Sequence, residues 1–163
     1  EMITEHTKED LSNILCVINN AALKYKGIIP DNCWQEPYMS EQELINEFDS
    51  GVRMFGLEKN NVLVGVMGIQ EREGVILIRH AYTMTEYQGL GIGRSLLHYL
   101  FNINKNSRFY VGTWRDATWA IKFYIKSGFV LHKREQTVEL LEKYWKVPLK
   151  QIENSVVLGK QII

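Results

Sequence analysis

The stretch Thr83–Leu97, TMTEYQGLGIGRSLL, decides how the rest of the chain is read. Ahead of it lies an apolar, β-branched run, Val75-Ile76-Leu77-Ile78, with the composition of a buried strand. Behind it Ile92, Leu96, Leu97, Leu100 and Ile103 repeat at helical spacing. Gly89, Gly91 and Gly93 therefore fall where a strand turns into a helix, the point at which first-turn amides have no partner within the helix. Glycine there permits positive φ and a close approach to the backbone, and the helix dipole adds partial positive charge. The local reading is a phosphate or pyrophosphate cradle. Gln88 is positioned to cap the turn and Arg94 to screen the anion.

Spacing separates the possible owners of such a loop. A nucleoside-triphosphate loop needs G-x-x-x-x-G-K-[ST], but Arg94-Ser95 stands in place of Lys-Ser. A dinucleotide fingerprint counted from Gly89 and Gly91 would need its third glycine at Arg94. What fits is Gln88-x-x-Gly91-x-Gly93, which resembles the Q/R-x-x-G-x-G/A pyrophosphate loop of the GNAT superfamily of N-acetyltransferases. A second block, Ala120-Ile-Lys-Phe123-Tyr124-Ile-Lys-Ser-Gly128-Phe129, resembles that family's A-x-x-F-Y-x-x-x-G-F, about 30 residues downstream. The resemblance covers Val75 to Phe129.

The resemblance implies an α+β fold, with a central mixed sheet flanked by helices and a splayed strand pair that admits acetyl-CoA. It assigns the pyrophosphate to Gln88, Gly89, Leu90, Gly91, Ile92, Gly93 and Arg94, and the pantetheine arm to the backbone of Ala81, Tyr82 and Thr83. Tyr124 matches the tyrosine beside the thioester sulfur, where a phenol can protonate the departing thiolate. Seven residues before it the family often has Asn; here stands Ala117, leaving open whether Asp116 or Thr118 substitutes. Positions where family members place a side-chain base are Arg79, Leu77 and Gly112, none able to accept a proton. His80 has suitable chemistry, but strand alternation points it away from the face of Arg79, and Glu36, Glu71 and Glu73 are more distant candidates. Proton loss through water is the expectation.

The expected reaction is direct attack of a primary amine on the bound thioester, since neither block contains a cysteine. A small-molecule acceptor is favoured; a protein amine, and an acyl-CoA sensor without turnover, stay open. Trp34, Arg79 and Trp114 are the candidate acceptor contacts, with Arg79 suited to a carboxylate or phosphate, or else to an ion pair with a nearby acid. Trp119 could cover the pantetheine or pack in the core.

Composition narrows the remaining classes. The 163 residues read as a single domain, residues 1–163, and Lys plus Arg balances Asp plus Glu at 19 each. That balance disfavours nucleic acid as partner. No apolar run reaches membrane-spanning length, and no signal peptide is recognised, so a cytoplasmic enzyme is expected, with a homodimer left open. Cys16 and Cys33 suggest neither a disulfide framework nor zinc, and no metal is expected; Cys16 reads as a buried thiol on an apolar helix face.

Elsewhere, Met2–Glu5 reads as an edge strand and Thr7 as the N-cap of a helix reaching Tyr25. Ile28–Tyr38 reads as an aromatic loop, and Ser40 with Glu43 as a capping box for a helix to Gly51. Strands at 53–58 and 62–70 meet at Asn60-Asn61, and a turn at 71–74 leads into a strand over 75–84. A helix is predicted over 92–104, a strand over 108–113 and a helix over 116–127 ending at Gly128. A strand over 129–133, a helix over 139–146 and a strand over 153–160 complete the reading. Lys143, Lys146 and Lys150 read as a solvated face.

Overall fold

A computed structural model describes residues 2–163. Its strands are β1 (Met2–His6), β2 (Arg53–Lys59), β3 (Val62–Arg72), β4 (Val75–Thr83), β5 (Arg108–Trp114), β6 (Val130–Leu131) and β7 (Ser155–Gln161). They form one mixed sheet in the order β1-β2-β3-β4-β5-β7-β6, parallel only between β4 and β5. Helices α1 (Leu11–Ala22), α2 (Glu41–Asp49), α3 (Ile92–Ile103), α4 (Thr118–Lys126), α5 (Arg134–Tyr144) and α6 (Leu149–Glu153) cover its two faces.

Side-chain alternation along the strands sets the layers. Met54, Leu63 and Val66 face α1 and α2, meeting Ile14, Val17, Ile18 and Leu44. Phe55, Val64, Met67 and Ile69 face the other way, onto Leu96, Leu97 and Leu100 of α3 and Tyr124 of α4. β3 is thus covered on both sides, which accounts for its unbroken burial from Leu63 to Gln70. Leu141 and Ile152, from α5 and α6, pack on Val157 of β7.

Local chemistry explains the turns. Asn60 and Asn61 take φ of 51° and 65°, the left-handed pair that a two-residue hairpin needs. Glu73 and Gly74 repeat the device between β3 and β4. Ser40 accepts from the Glu43 amide at 3.1 Å while the Glu43 carboxylate accepts from the Ser40 amide at 3.2 Å, completing the capping box. At Gly65 the sheet comes so close to α3 that an added Cβ would lie 2.5 Å from Ile92 Cγ2.

The C-terminal third departs from the sequence reading. α5 begins at Arg134, five residues before the predicted start, because Thr137, Leu141 and Tyr144 form its buried stripe. Pro148, read as a stop, also opens α6, where its missing N–H costs nothing. The predicted strand over 129–133 shrinks to Val130–Leu131. Cys16 is exposed: it sits two residues from Ile14, about 200° around α1 from the stripe Ile14, Val17, Ile18, Ala21. Ile103, the last residue of the predicted α3 stripe, is also exposed. Lys143 and Lys146 are solvent-exposed, as read.

Candidate active site

The site is built where β4 and β5 part. Parallel pairing holds for four residue pairs, Val75–Ile78 against Arg108–Val111, and then ends. β5 continues along β7 to Trp114, and β4 continues along β3 to Thr83. Between them a bulge intervenes. Val66 pairs with Tyr82 and Gly68 with Arg79, so that Met67 alone faces both His80 and Ala81. His80 carries the distortion at φ 57°, unusual for any residue but glycine or asparagine. The edge of Ala81–Thr83 facing β5 is left without a strand partner among the described residues.

That free edge lines a cavity of about 750 Å³. Ala81, Tyr82 and Thr83 form one wall, and the glycine loop closes one end with Gln88, Gly89, Gly91, Gly93 and Arg94. Gly89 and Gly91 take φ of 79° and 80°, and no heavy atom outside the loop lies within 4 Å of a Cβ built on either. Gly91 is the N-cap of α3, and no side chain caps it. The amides of Ile92, Gly93 and Arg94 therefore have no partner within the helix. Gln88 donates from Nε2 to the Thr83 carbonyl at 3.3 Å, pinning the loop to the end of β4. Lys24, Lys126 and His98 also reach this cavity, and Lys24 lies 4.5 Å above the Trp119 ring. The side chains of Leu90 and Ile92 do not: Leu90 projects into solvent and Ile92 into the core, which leaves both only their main chain to offer.

Tyr124 also lines the large cavity, although only 4% of its surface is exposed. Its ring is fixed edge-on between Phe123 and Phe129, at centroid distances of 5.0 and 5.3 Å. Among the described residues the hydroxyl has no hydrogen-bond partner. Burial, with a smaller effect of nearby Tyr25, pushes its pKa above the ordinary phenol value, so it remains a proton donor at neutral pH. Ala117 is fully buried against Trp114, while Asp116 and Thr118 point into solvent and neither lines this cavity.

A second cavity, about 360 Å³, opens on the other side of the splay. Tyr25 and Tyr82 belong to both cavities and form the partition. With Tyr38 they make a cluster with ring centroids 5.3 to 6.4 Å apart. Trp114 borders this second space and donates from Nε1 to the Tyr38 hydroxyl at 2.8 Å. Trp34 stacks on Tyr38 at 5.8 Å but borders neither cavity; Trp119 instead borders the larger one and stacks on Tyr25 at 5.9 Å.

Arg79 and His80 both face the second cavity, contrary to the simple alternation expected of a strand. The bulge is the reason: it removes the half-turn between them, and both reach the same carboxylate. Arg79 Nη2 donates to Glu47 Oε1 at 2.8 Å, and His80 Nε2 lies 2.6 Å from that oxygen. Arg79 Nη1 donates to Gln70 Oε1 at 2.8 Å, and Gln70 Nε2 donates to the Ser50 carbonyl at 2.9 Å. With both terminal nitrogens engaged, Arg79 takes the ion-pair reading over the carboxylate-receptor one. Burial pushes the Glu47 carboxyl up, but the His80 hydrogen bond and the positive charges beside it, Arg79 and Arg72 among them, outweigh it and hold Glu47 below the usual range. Glu47 is the residue the sequence reading missed. Of the more distant acids, Glu36 is exposed and paired with Lys26 at 2.9 Å.

Comparison with known proteins agrees with this geometry. The model of the Acetyltransferase (GNAT) domain matches residues 7–142. Among curated proteins, none matches the sequence. Among solved structures, the PaiA N-acetyltransferase of Thermoplasma acidophilum in complex with coenzyme A superposes with a TM-score of 0.74 at 20% identity, over 98% of both chains. A GNAT-family acetyltransferase of Staphylococcus aureus Mu50 gives 0.74 at 17% identity, over 99% of both. The ribosomal-protein-alanine N-acetyltransferase of Brucella melitensis gives 0.68 at 19% identity, over 99% of this chain and 100% of its own. The domain match spans most of the sequence, and the chain belongs to the GNAT acetyltransferase family.

Proposed function

We propose that the protein transfers the acetyl group of acetyl-CoA to the primary amine of a small molecule, by direct attack of the amine within a ternary complex. The observation that carries this reading is the large cavity, which joins an unpaired strand edge, an uncapped glycine-rich helix start and a partnerless buried phenol. The groups along it suit acetyl-CoA in order. The amides of Ile92, Gly93 and Arg94 and the Arg94 guanidinium suit the pyrophosphate. The backbone of Ala81–Thr83 suits the amides of the pantetheine arm, in the manner of an added strand. Lys24 and Lys126 offer further positive charge for phosphate.

In this reading Tyr124 hands its proton to the sulfur as the carbon–sulfur bond breaks. Val66, Met67 and Phe123 give the thioester an apolar wall. The amine enters through the second cavity, whose aromatic walls and modest volume favour a small molecule. Trp114 and the Tyr38 it holds are the acceptor contacts; Trp34 acts at one remove, by supporting Tyr38. The test is release of free thiol from acetyl-CoA with a panel of monoamines, polyamines, amino acids and peptide amines. Thiol release that depends on an amine, with the acetylated amine recovered by mass, is expected. Tight acetyl-CoA binding without release by any amine would make the protein a sensor instead.

A further inference from the structure

The second cavity holds a polar cluster that a structural ion pair does not explain. Glu47 of α2 accepts from two side chains of β4 on one oxygen, at the one place where β4 departs from strand geometry. A side chain held at φ 57° is strained, and such strain persists where surrounding structure enforces it. An Arg79–Glu47 bridge would need no such distortion. Without the bulge, His80 would point to the opposite face of the sheet.

We propose that His80 accepts the proton of the attacking amine and that Glu47 is the positioning residue that orients it; this rests on the acetyl-transfer reading above. An ionised carboxylate only accepts hydrogen bonds, so the contact with Glu47 places the ring proton on Nε2. Nδ1 then carries the free lone pair. The side chain is 14% exposed, at the wall of the cavity next to the partition made by Tyr25 and Tyr82. Arg79 supplies a fixed positive charge that keeps Glu47 ionised.

The neutral amine attacks the carbonyl carbon and a C–N bond forms, which makes the nitrogen acidic. His80 Nδ1 takes that nitrogen's proton; the C–S bond breaks with its electron pair on sulfur; and Tyr124 protonates the thiolate. The imidazolium returns its proton to solvent, from which the phenolate regains one. Other charged groups border the same space. Glu43 stands on α2, Lys150 on α6 donates to the Asn32 carbonyl at 2.8 Å, and Arg72 of β3 acts on Glu47 from behind. The phenols of Tyr25, Tyr38 and Tyr82 are all pushed up by burial and stay neutral.

The strain itself provides a clean test. His80→Gly removes the imidazole and also relieves the positive φ, so the variant should fold at least as well as wild type. With an amine identified in the panel, its kcat/KM for that amine should fall at least about 100-fold, within the range for a positioned base. Its acetyl-CoA affinity, by calorimetry, should not change. Added imidazole should restore at least about tenfold of the loss, and the acid limb of the wild-type pH profile should be replaced by the ionisation of the amine alone. Glu47→Gln should lower kcat and alter the acid limb, whereas Glu47→Asp should recover part of both. A His80→Gly enzyme within threefold of wild type across pH, or one that imidazole does not rescue, overturns the assignment while leaving acetyl transfer intact. A wild-type protein that releases no thiol with any amine removes the transfer reading, and this inference with it.

Discussion

Replacing Tyr124 with phenylalanine separates chemistry from packing at one atom. The ring contacts with Phe123 and Phe129 do not involve the hydroxyl. Because that hydroxyl has no protein partner among the described residues, its loss strands no donor or acceptor. Stability should change by less than about 1 kcal/mol, the net worth of one hydrogen bond. Catalysis should suffer more. A positioned general acid contributes ~10²–10⁴-fold, which corresponds to about 3–5 kcal/mol of barrier. A thiolate is already a good leaving group, so the lower end applies, and kcat should fall at least about tenfold, or ~1.4 kcal/mol. The assay is single-turnover thiol release at saturating acetyl-CoA and amine, which reads the chemical step free of product release. Calorimetry with acetyl-CoA and a thermal melt accompany it; the dissociation constant should stay within about threefold, since a hydrogen bond to sulfur is weak. A variant that binds, melts and turns over like wild type would refute the acid role and return Tyr124 to the core.

Gly91→Val forces a β-branched residue to φ 80°, at a cost of about 1–3 kcal/mol, and puts a side chain beside the first amides of α3. Acetyl-CoA affinity by calorimetry should fall at least about tenfold, and an unchanged affinity would exclude the loop from the site. Gly65→Ala should destabilise by about 1–3 kcal/mol in urea, because its Cβ would sit 2.5 Å from Ile92 Cγ2 against a packed helix; an unchanged midpoint would contradict the packing. Glu47→Ala leaves Arg79 buried without its carboxylate and should cost about 3–5 kcal/mol at pH 7. Since the folded-state pKa of Glu47 is lowered, its contribution is present above the unfolded carboxylate pKa and is lost as pH falls through the folded value. The gap between wild type and Glu47→Ala in urea should therefore narrow from pH 7 to about pH 3; a constant gap would deny the linkage.

Local chemistry made much of this molecule legible in the sequence. The glycine loop, the Asn60-Asn61 hairpin and the Ser40–Glu43 capping box each depend on a few adjacent residues with sharp backbone or hydrogen-bond requirements, and each appears as read. What was missed depends on contacts across long sequence separation. Glu47 meets Arg79 and His80 from 32 and 33 residues away, on a helix whose pattern marks that position only as polar. No period of two or 3.6 announces the β4 bulge, which shows only in the pairing of β4 with β3. The misplacement of α5 has a gentler cause. Its stripe includes Thr137, a buried polar residue that a search for apolar periodicity passes over.

The parting of β4 and β5 gives the sheet two interior edges. Beyond Ile78 and Val111 the backbones diverge and face each other across a gap, each with an edge that pairs with no strand among the described residues. Exposed edges of this kind ordinarily invite foreign strands. Here the β4 edge lines the larger cavity, where an extended ligand would take the place of a strand. A ligand lying along β4 therefore acts as a piece of the fold. Amides of Ala81–Thr83 should exchange with deuterium faster in the free protein than in the complex. At a hundredfold excess over its dissociation constant the ligand should add about 2.7 kcal/mol to global stability. The four residue pairs that join the two parts of the sheet make a short seam. Occupancy of the cleft would then set how stiffly those parts move together, and its emptying would leave the seam to hold them alone.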